Sequence, residues 1–278
     1  MLPNHALLEG SQYRAELTEI LRCAEEALRT WEPCWTGFLD GAVREDAQNR
    51  LGVLAELAMH SSGGFPGAER QRLLLYRQDA GEPPEVGSMA TAKGTATGTA
   101  TASNQGLLGL ELTGNFLFDP HTPADFRQGL IRTAGADPAA LGDCWLRGDR
   151  GAQMVVTAAC GQALDGQQAQ VGAVEIQLAA RPVEELQLPA QRQPKRLSSV
   201  EASLRLDALA SAGFGLSRSR MAERIRQGEL AINWQTVTSP SRELASGDRV
   251  QWSGRGELHV EEVALTKRER WRITLLRL

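Results

Sequence analysis

Four arginines fall within nine residues near the C-terminal end of the chain: Arg218, Arg220, Arg224 and Arg226. On a helix Arg220, Arg224 and Gln227, at i, i+4 and i+7, share one face, while Met221 and Ile225, four apart, share another that turns to a core. A guanidinium stays charged and offers a planar fork that fits a phosphate, so a row of such forks suits a polyanion. The alternative is a plain solvated face. Charge is divided along the chain in the same sense. Residues 192–278 hold 16 Lys and Arg against 10 Asp and Glu, a net of +6, whereas residues 1–191 carry a net of −10. Of 30 basic residues only Lys93, Lys195 and Lys267 are lysines. A basic segment on an acidic body points to a polyanionic partner.

The elements that must position these residues follow from periodicity. Ser198-Ser199-Val200-Glu201 reads as a capping box, opening a helix through Arg205-Leu206-Asp207 that stops near Gly213. A second helix starts at Ser217 or Ser219 and ends at Gly228. Short strands follow, marked by alternation at Leu230, Ile232 and Trp234, at Val250 and Trp252, at Leu258 and Val260, and at Trp271, Ile273 and Leu275. A helical pair on a small sheet is a rigid mount for phosphate contacts.

Further upstream, Leu17, Ile20, Leu21, Ala24 and Leu28 have helical spacing, and Val43, Leu51, Leu54, Leu57 and Ala58 suggest a second helix stopped by Ser61-Ser62-Gly63-Gly64. Residues 78–106 are Gly, Ala, Thr, Ser and Pro with almost nothing for a core, and read as a flexible insertion. From 107 onward the order is strand (Leu108, Leu110, Leu112), helix from Thr122-Pro123-Ala124-Asp125 to Ile131, strands 141–147 and 153–157, a small-residue helix over 159–168, and a strand over 171–178. This β-α-β-β-α-β order is the ferredoxin-like arrangement of RNA recognition modules, but the third strand lacks the aromatics that stack bases there. A purely structural α+β domain explains it as well. The expected division is a helical N-terminal region over 1–62, an RRM-like α+β domain over 63–180, a linker over 181–196 and a C-terminal domain over 197–278. The fold class is α+β.

The C-terminal stretch resembles the S4 RNA-binding domain. The matching positions are Arg205-Leu206-Asp207, Ser217-Arg218-Ser219-Arg220, Ile225, Gly228, Ile232-Asn233, Val237, Leu244, Gly247-Asp248 and Arg255-Gly256. The resemblance implies an αL-type motif whose helical pair lies on structured RNA, with Arg218, Arg220 and Arg224 on phosphates and Asn233 and Arg255 at the edge. Arg205 is either a structural bridge or a ligand contact, and Asp207 caps or pairs locally with an arginine rather than touching RNA. The whole chain is similar, more faintly, to the YlmH-type proteins. That likeness rests on Phe38-Leu39-Asp40, Ala68-Glu69-Arg70-Gln71-Arg72, Gly114-Asn115-Phe116, Asp125, Gly142-Asp143, the S4 domain and Thr266-Lys267-Arg268-Glu269-Arg270. Where that family usually has His-Arg-Asp before the middle helix, this chain has Pro123-Ala124-Asp125. The cyanobacterial and plastid branch is called photosystem II S4 domain protein. Members are linked to ribosomes, which implies rRNA or tRNA as the partner and Lys267 and Arg268 among the contacts.

S4 domains also accompany catalysis, so an enzyme is a competing reading. After Arg205-Leu206-Asp207, the Thr and Gly-Leu that pseudouridine synthases carry are replaced by Ala210, Ala212 and Gly213. No His-x-Gly-His of a tyrosyl-tRNA synthetase precedes the S4 domain, and Gly106–Gly114 lacks the strand, glycine-rich turn and helix of a methyltransferase. His259-Val260-Glu261 lacks the cysteine pair of a zinc deaminase. The cysteines at 23, 34, 144 and 160 form no Cys-x-x-Cys and read as reduced thiols. The expectation is a non-enzymatic RNA-binding protein without cofactor or metal. It is cytoplasmic, since no apolar span or secretory signal is legible. The alternatives are an RNA-modifying enzyme and a protein-binding assembly factor.

Overall fold

The structure, a computed structural model, describes residues 2–81, 106–190, 193–267 and 269–278. It divides into two compact units, Met1–Ala190 and Gln191–Leu278.

The first unit begins with α1 (Asn4–Leu8), α2 (Arg14–Thr30), β1 (Cys34–Trp35), α3 (Gly41–Leu51), β2 (Leu57–Ser62) and β3 (Arg72–Arg77). In α2 the buried face is Leu17, Ile20, Leu21, Ala24 and Ala27, the spacing of one helical stripe. The helix expected to continue through Leu57 and Ala58 instead stops at Leu51. Leu57–Ser62 pairs antiparallel with all of β3, whose Leu73, Leu74 and Leu75 are fully buried. A short apolar run fits either period, and here the sheet partner decides. β3 is the middle strand of the order β1-β3-β2, so the expected break after residue 62 cuts through a sheet. The cysteine expectation also needs correction. Trp31 ends α2 in the left-handed region, and the chain turns so that Cys34 meets Cys23, Cα atoms 5.7 Å apart, in a disulfide. Cys144 and Cys160 are free thiols.

The same unit continues with β4 (Leu107–Thr113), α4 (Pro123–Thr133), β5 (Leu141–Leu146), β6 (Gly151–Thr157), α5 (Ala158–Leu164), β7 (Gln168–Val171) and β8 (Val174–Arg181). Thr122 and Asp125 form a reciprocal capping box at the start of α4. The sheet order β5-β6-β4-β8-β7 is the ferredoxin-like order with one strand added, because the expected strand over 171–178 folds back at Gly172 into a hairpin. Phe126, Leu130, Leu110, Leu112, Met154 and Ile176 form the core between helices and sheet.

The other face of this sheet is covered as well. Val183 and Leu186, inside the expected linker, are buried there with Phe38, Leu107 and Val155. A Cβ on Gly109 would come within 2.5 Å of Leu186, so glycine is what lets this segment lie flat on the strand. The surface on which an RNA recognition module stacks bases is thus occupied by the chain itself. Of the expected insertion, Gln78–Ala80 form a 3₁₀ turn and residues 82–105 lie outside those described.

The second unit contains β9 (Lys195–Glu201), α6 (Leu206–Phe214), α7 (Arg218–Arg226), β10 (Leu230–Ile232), β11 (Gln235–Val237), β12 (Arg249–Trp252), β13 (Gly256–Leu265) and β14 (Trp271–Arg277). The antiparallel sheet runs β11-β10-β12-β13-β14-β9. Ser198-Ser199-Val200-Glu201 does not cap a helix. It lies in β9, which pairs with β14 from Lys195 to Glu201. Leu197 faces the core while Ser198 and Val200 face out, a period of two that the capping pattern masks. Leu206, Leu209, Met221 and Ile225 from the helices meet Val250, Leu258, Ile273 and Leu275 from the sheet.

Candidate nucleic-acid interface

The helical pair is joined by one carboxylate. Arg205 takes the position preceding the first turn of α6, and the Asp207 side chain, 9% exposed, sits just inside. Arg205 donates from Nε and Nη2 to the two Asp207 oxygens at 3.2 and 2.8 Å. Arg218, the first residue of α7, donates from Nη2 and Nε to Asp207 Oδ1 at 3.0 and 3.4 Å. Burial pushes the Asp207 carboxyl up, but the hydrogen bonds from Arg205 and Arg218 outweigh it and hold the group below its ordinary value. The two arginine side chains are 40% and 52% exposed, so each is held by the carboxylate and still open to water. Fixing them in advance removes part of the ordering cost of a phosphate contact.

Backbone pairing brings a further cation that the sequence reading passed over. Leu206 N–H donates to Arg242 O at 2.7 Å, and Asp207 N–H to Pro240 O at 3.1 Å. These bonds satisfy first-turn donors of α6 and pair Arg205 with Glu243, so that the exposed Arg242 lies opposite Leu206 at the start of the helix. A separation of 37 positions hid it, since no local period connects the two segments.

On α7 the expected faces are observed. Met221, Ala222 and Ile225 are buried, and Arg220, Arg224 and Arg226 are exposed. Arg224, half exposed, pairs with the partly buried Glu229 at 2.7 Å, and a pair open to water on the arginine side is weak enough for a phosphate to displace the carboxylate. Arg220 and Arg226 make no ion pair among the described residues. Ser217 precedes the helix without capping it by its side chain, and its Oγ lies 3.4 Å from Ser219 Oγ.

The remaining expected contacts divide. Asn233 forms the β10–β11 turn with Trp234, both with positive φ, as a two-residue hairpin demands. Its amide donates to Asp248 at 2.8 Å and accepts from Arg249 N–H at 3.0 Å, so both ends of this side chain serve the turn. Arg255 lies 5.6 Å above the Trp252 ring at the β12–β13 turn, exposed. Lys267 is exposed at the β13–β14 hairpin tip, close to Arg270 and Arg272, which sequence reading did not select. Arg268 lies outside the described residues.

The scattered motifs of the first unit converge elsewhere. Asp143 accepts from the backbone N–H of Glu69 at 2.6 Å and of Arg70 at 2.9 Å. The Arg70 guanidinium donates to Phe38 O and Leu141 O at 3.0 Å each, and to Asp40. Gly142 packs so close to Phe38 that a Cβ would come within 2.7 Å of the ring. Arg127 completes the knot through Gly142 O at 2.8 Å. Phe38, Asp40, Arg70, Gly142 and Asp143 therefore clasp the three-stranded sheet to the five-stranded one. Among the described residues no group of three His, Cys, Asp or Glu is placed to hold a metal, and no helix is long and apolar enough to cross a membrane.

The two units fit the class of chain that joins an α+β body to an S4 helical pair, and comparison with known proteins gives the same result. Residues 12–80 match the family described as YlmH, N-terminal, and residues 204–250 match the S4 domain. The chain is 25% identical over 226 residues to Ribosome-associated protein quality control protein P2 of Bacillus subtilis strain 168, covering 80% of this chain and 79% of that one. A solved structure, Cell division protein ylmH from Streptococcus pneumoniae, matches 62% of this chain and 92% of its own with a TM-score of 0.44 at 19% identity. The chain carries a YlmH N-terminal domain and an S4 domain and is homologous to YlmH-type proteins.

Proposed function

We propose that the second unit docks on structured RNA through the α6–α7 pair, and that the protein acts on the ribosome with rRNA or tRNA as its target. The observation that carries this reading is the arginine surface built inside the S4-matching stretch: Arg205 and Arg218 braced on Asp207, with Arg220, Arg224 and Arg226 exposed along α7. Affinity comes from phosphate neutralisation and counterion release, and selectivity from RNA shape, because the exposed groups are cations on helices rather than base-reading pockets. Ser217 and Ser219 flank these arginines at the start of α7, and Arg255, Lys267 and Arg268 are further contacts in this reading. Asn233 acts in this scheme by holding its turn. The ribosomal setting is supported by the relative from Bacillus subtilis, whose name describes a ribosome-associated protein. The role is one of binding in the cytoplasm, not of catalysis.

Crosslinking the tagged protein to RNA in cells and sequencing the bound sites tests this reading. The expected result is a set of peaks on one ribosomal RNA element or on tRNA, lost in an Arg220→Ala/Arg224→Ala variant. Equal recovery of RNA by the variant and the unaltered protein would overturn it.

A further inference from the structure

Phe118 is 91% exposed, more than any other large apolar side chain among the described residues, and Leu117 beside it is 59% exposed. Their loop, between β4 and α4, is anchored on both sides. Gly114 N–H donates to Arg150 O at 3.0 Å and Phe116 N–H to Asp149 O at 2.9 Å, which ties the loop to the β5–β6 turn. Phe116 is buried against Phe126, ring centroids 4.8 Å apart. Asn115 Oδ1 accepts from Leu117 N–H at 3.2 Å, and downstream the Thr122–Asp125 capping box fixes the start of α4. Leu117 and Phe118 thus form an adjoining pair of exposed apolar side chains at the tip of an anchored loop.

The tie to the β5–β6 turn sets the chemistry of a partner. The turn bonds Arg150 directly to the loop through Gly114 and begins just after Arg147, and neither arginine is within ion-pair distance of a carboxylate among the described residues. Asp119 and Asp149 offset the two arginines in net charge, so the tip does not suit a run of phosphates. It suits one flat apolar face with a single adjoining anion. An unpaired nucleotide has that composition, since its base offers a π-face and its phosphate a fork acceptor. A paired base has its faces covered by its neighbours.

We propose that the Phe118 tip is a second RNA contact, which stacks an unpaired base on the ring while Arg147 or Arg150 holds that nucleotide's phosphate. It replaces the base-stacking face that Val183 and Leu186 cover in this sheet. The proposal rests on the RNA-binding reading of the second unit, but on different residues and a different RNA conformation.

The test uses the full chain with two probes, a single-stranded oligouridylate carrying 4-thiouridine and a blunt RNA duplex of equal length. Phe118→Ala should weaken the single strand by about 10-fold and leave the duplex unchanged, and photocrosslinking should place an adduct on the peptide that contains Phe118. Arg220→Ala/Arg224→Ala should weaken the duplex. Equal single-strand affinity for Phe118→Ala and the unaltered chain, with no adduct at the tip, would overturn the stacking contact. So would loss of a co-purifying protein from Phe118→Ala with RNA binding intact. An unweakened duplex in the double-arginine variant would instead refute the S4 reading and leave the tip result standing.

Discussion

Arg218 reaches back eleven positions to Asp207, at 3.0 Å, and meets there the guanidinium of Arg205. One nearly buried carboxylate thus holds an arginine from the start of each helix. Removing it leaves two cations facing each other. Asp207→Asn should destabilise the second unit by about 1–2 kcal/mol, a charged hydrogen bond discounted for the exposure of both arginines. Because the folded state holds this carboxyl below its ordinary 3.8, its contribution is complete above that value and is lost as pH falls through the lower folded value. Denaturant unfolding across the acid limb should show a shallower loss in the variant than in the unaltered chain. Superimposable limbs would refute the bracing role.

Arg220 and Arg224 stand at the other extreme, exposed on α7. An Arg220→Ala/Arg224→Ala chain should keep its unfolding midpoint and lose RNA affinity. The slope of log affinity against log salt should flatten by roughly 1–2 units, one for each phosphate no longer neutralised. A folded variant with the original slope would remove these residues from the interface.

The parts of this architecture that sequence showed were those carried by local rules. The Thr122–Asp125 box, the Met221/Ile225 face and the ferredoxin-like order follow from periods and caps within a few residues. Where partners distant in sequence decide, local rules misled. Ser198–Glu201 satisfies a capping pattern but is held by β14, some 70 positions on, and Leu57 and Ala58 satisfy a helical spacing but are held by β3. The site followed the same division. Arg220 and Arg224 share a face by helical spacing and Arg218 came with the S4 resemblance, whereas the segment carrying Pro240 and Arg242 enters through backbone bonds to Asp207 and Leu206. Asn233 matched a motif, and only its bonds to Asp248 and Arg249 show that the match is to a turn.

Asp143 offers a test of the clasp in the first unit. Asp143→Ala leaves the N–H groups of Glu69 and Arg70 without their acceptors and should cost about 2–4 kcal/mol. Burial raises the Asp143 carboxyl above 3.8 in spite of those bonds and of Arg127 and Arg70 nearby. The folded state therefore keeps the proton longer than the unfolded chain, so this carboxyl contributes most below 3.8 and less as pH rises through its folded value. The stability gap between variant and unaltered chain should be wider at about pH 3.5 than at about pH 6.5. A gap that widens with pH would contradict the assignment.

The cysteines make the last prediction, and it can be read by mass. Denatured without reductant, the chain should take two alkyl groups, on Cys144 and Cys160, and after reduction four, because Cys23 and Cys34 are bonded. In the native protein Cys160 should react before Cys144, since burial pushes the Cys144 thiol up to about 12 and leaves almost no thiolate at neutral pH. The bond closes a short loop, 11 positions apart, and on chain-entropy grounds stabilises by ~3 kcal/mol. Cys34→Ser, or a thiol reductant, should therefore lower the unfolding midpoint of the first unit, and the two treatments together should do no more than either alone. Four alkyl groups on the unreduced chain, or an additive effect of reductant on Cys34→Ser, would show that α2 and β1 are held by packing without the bond.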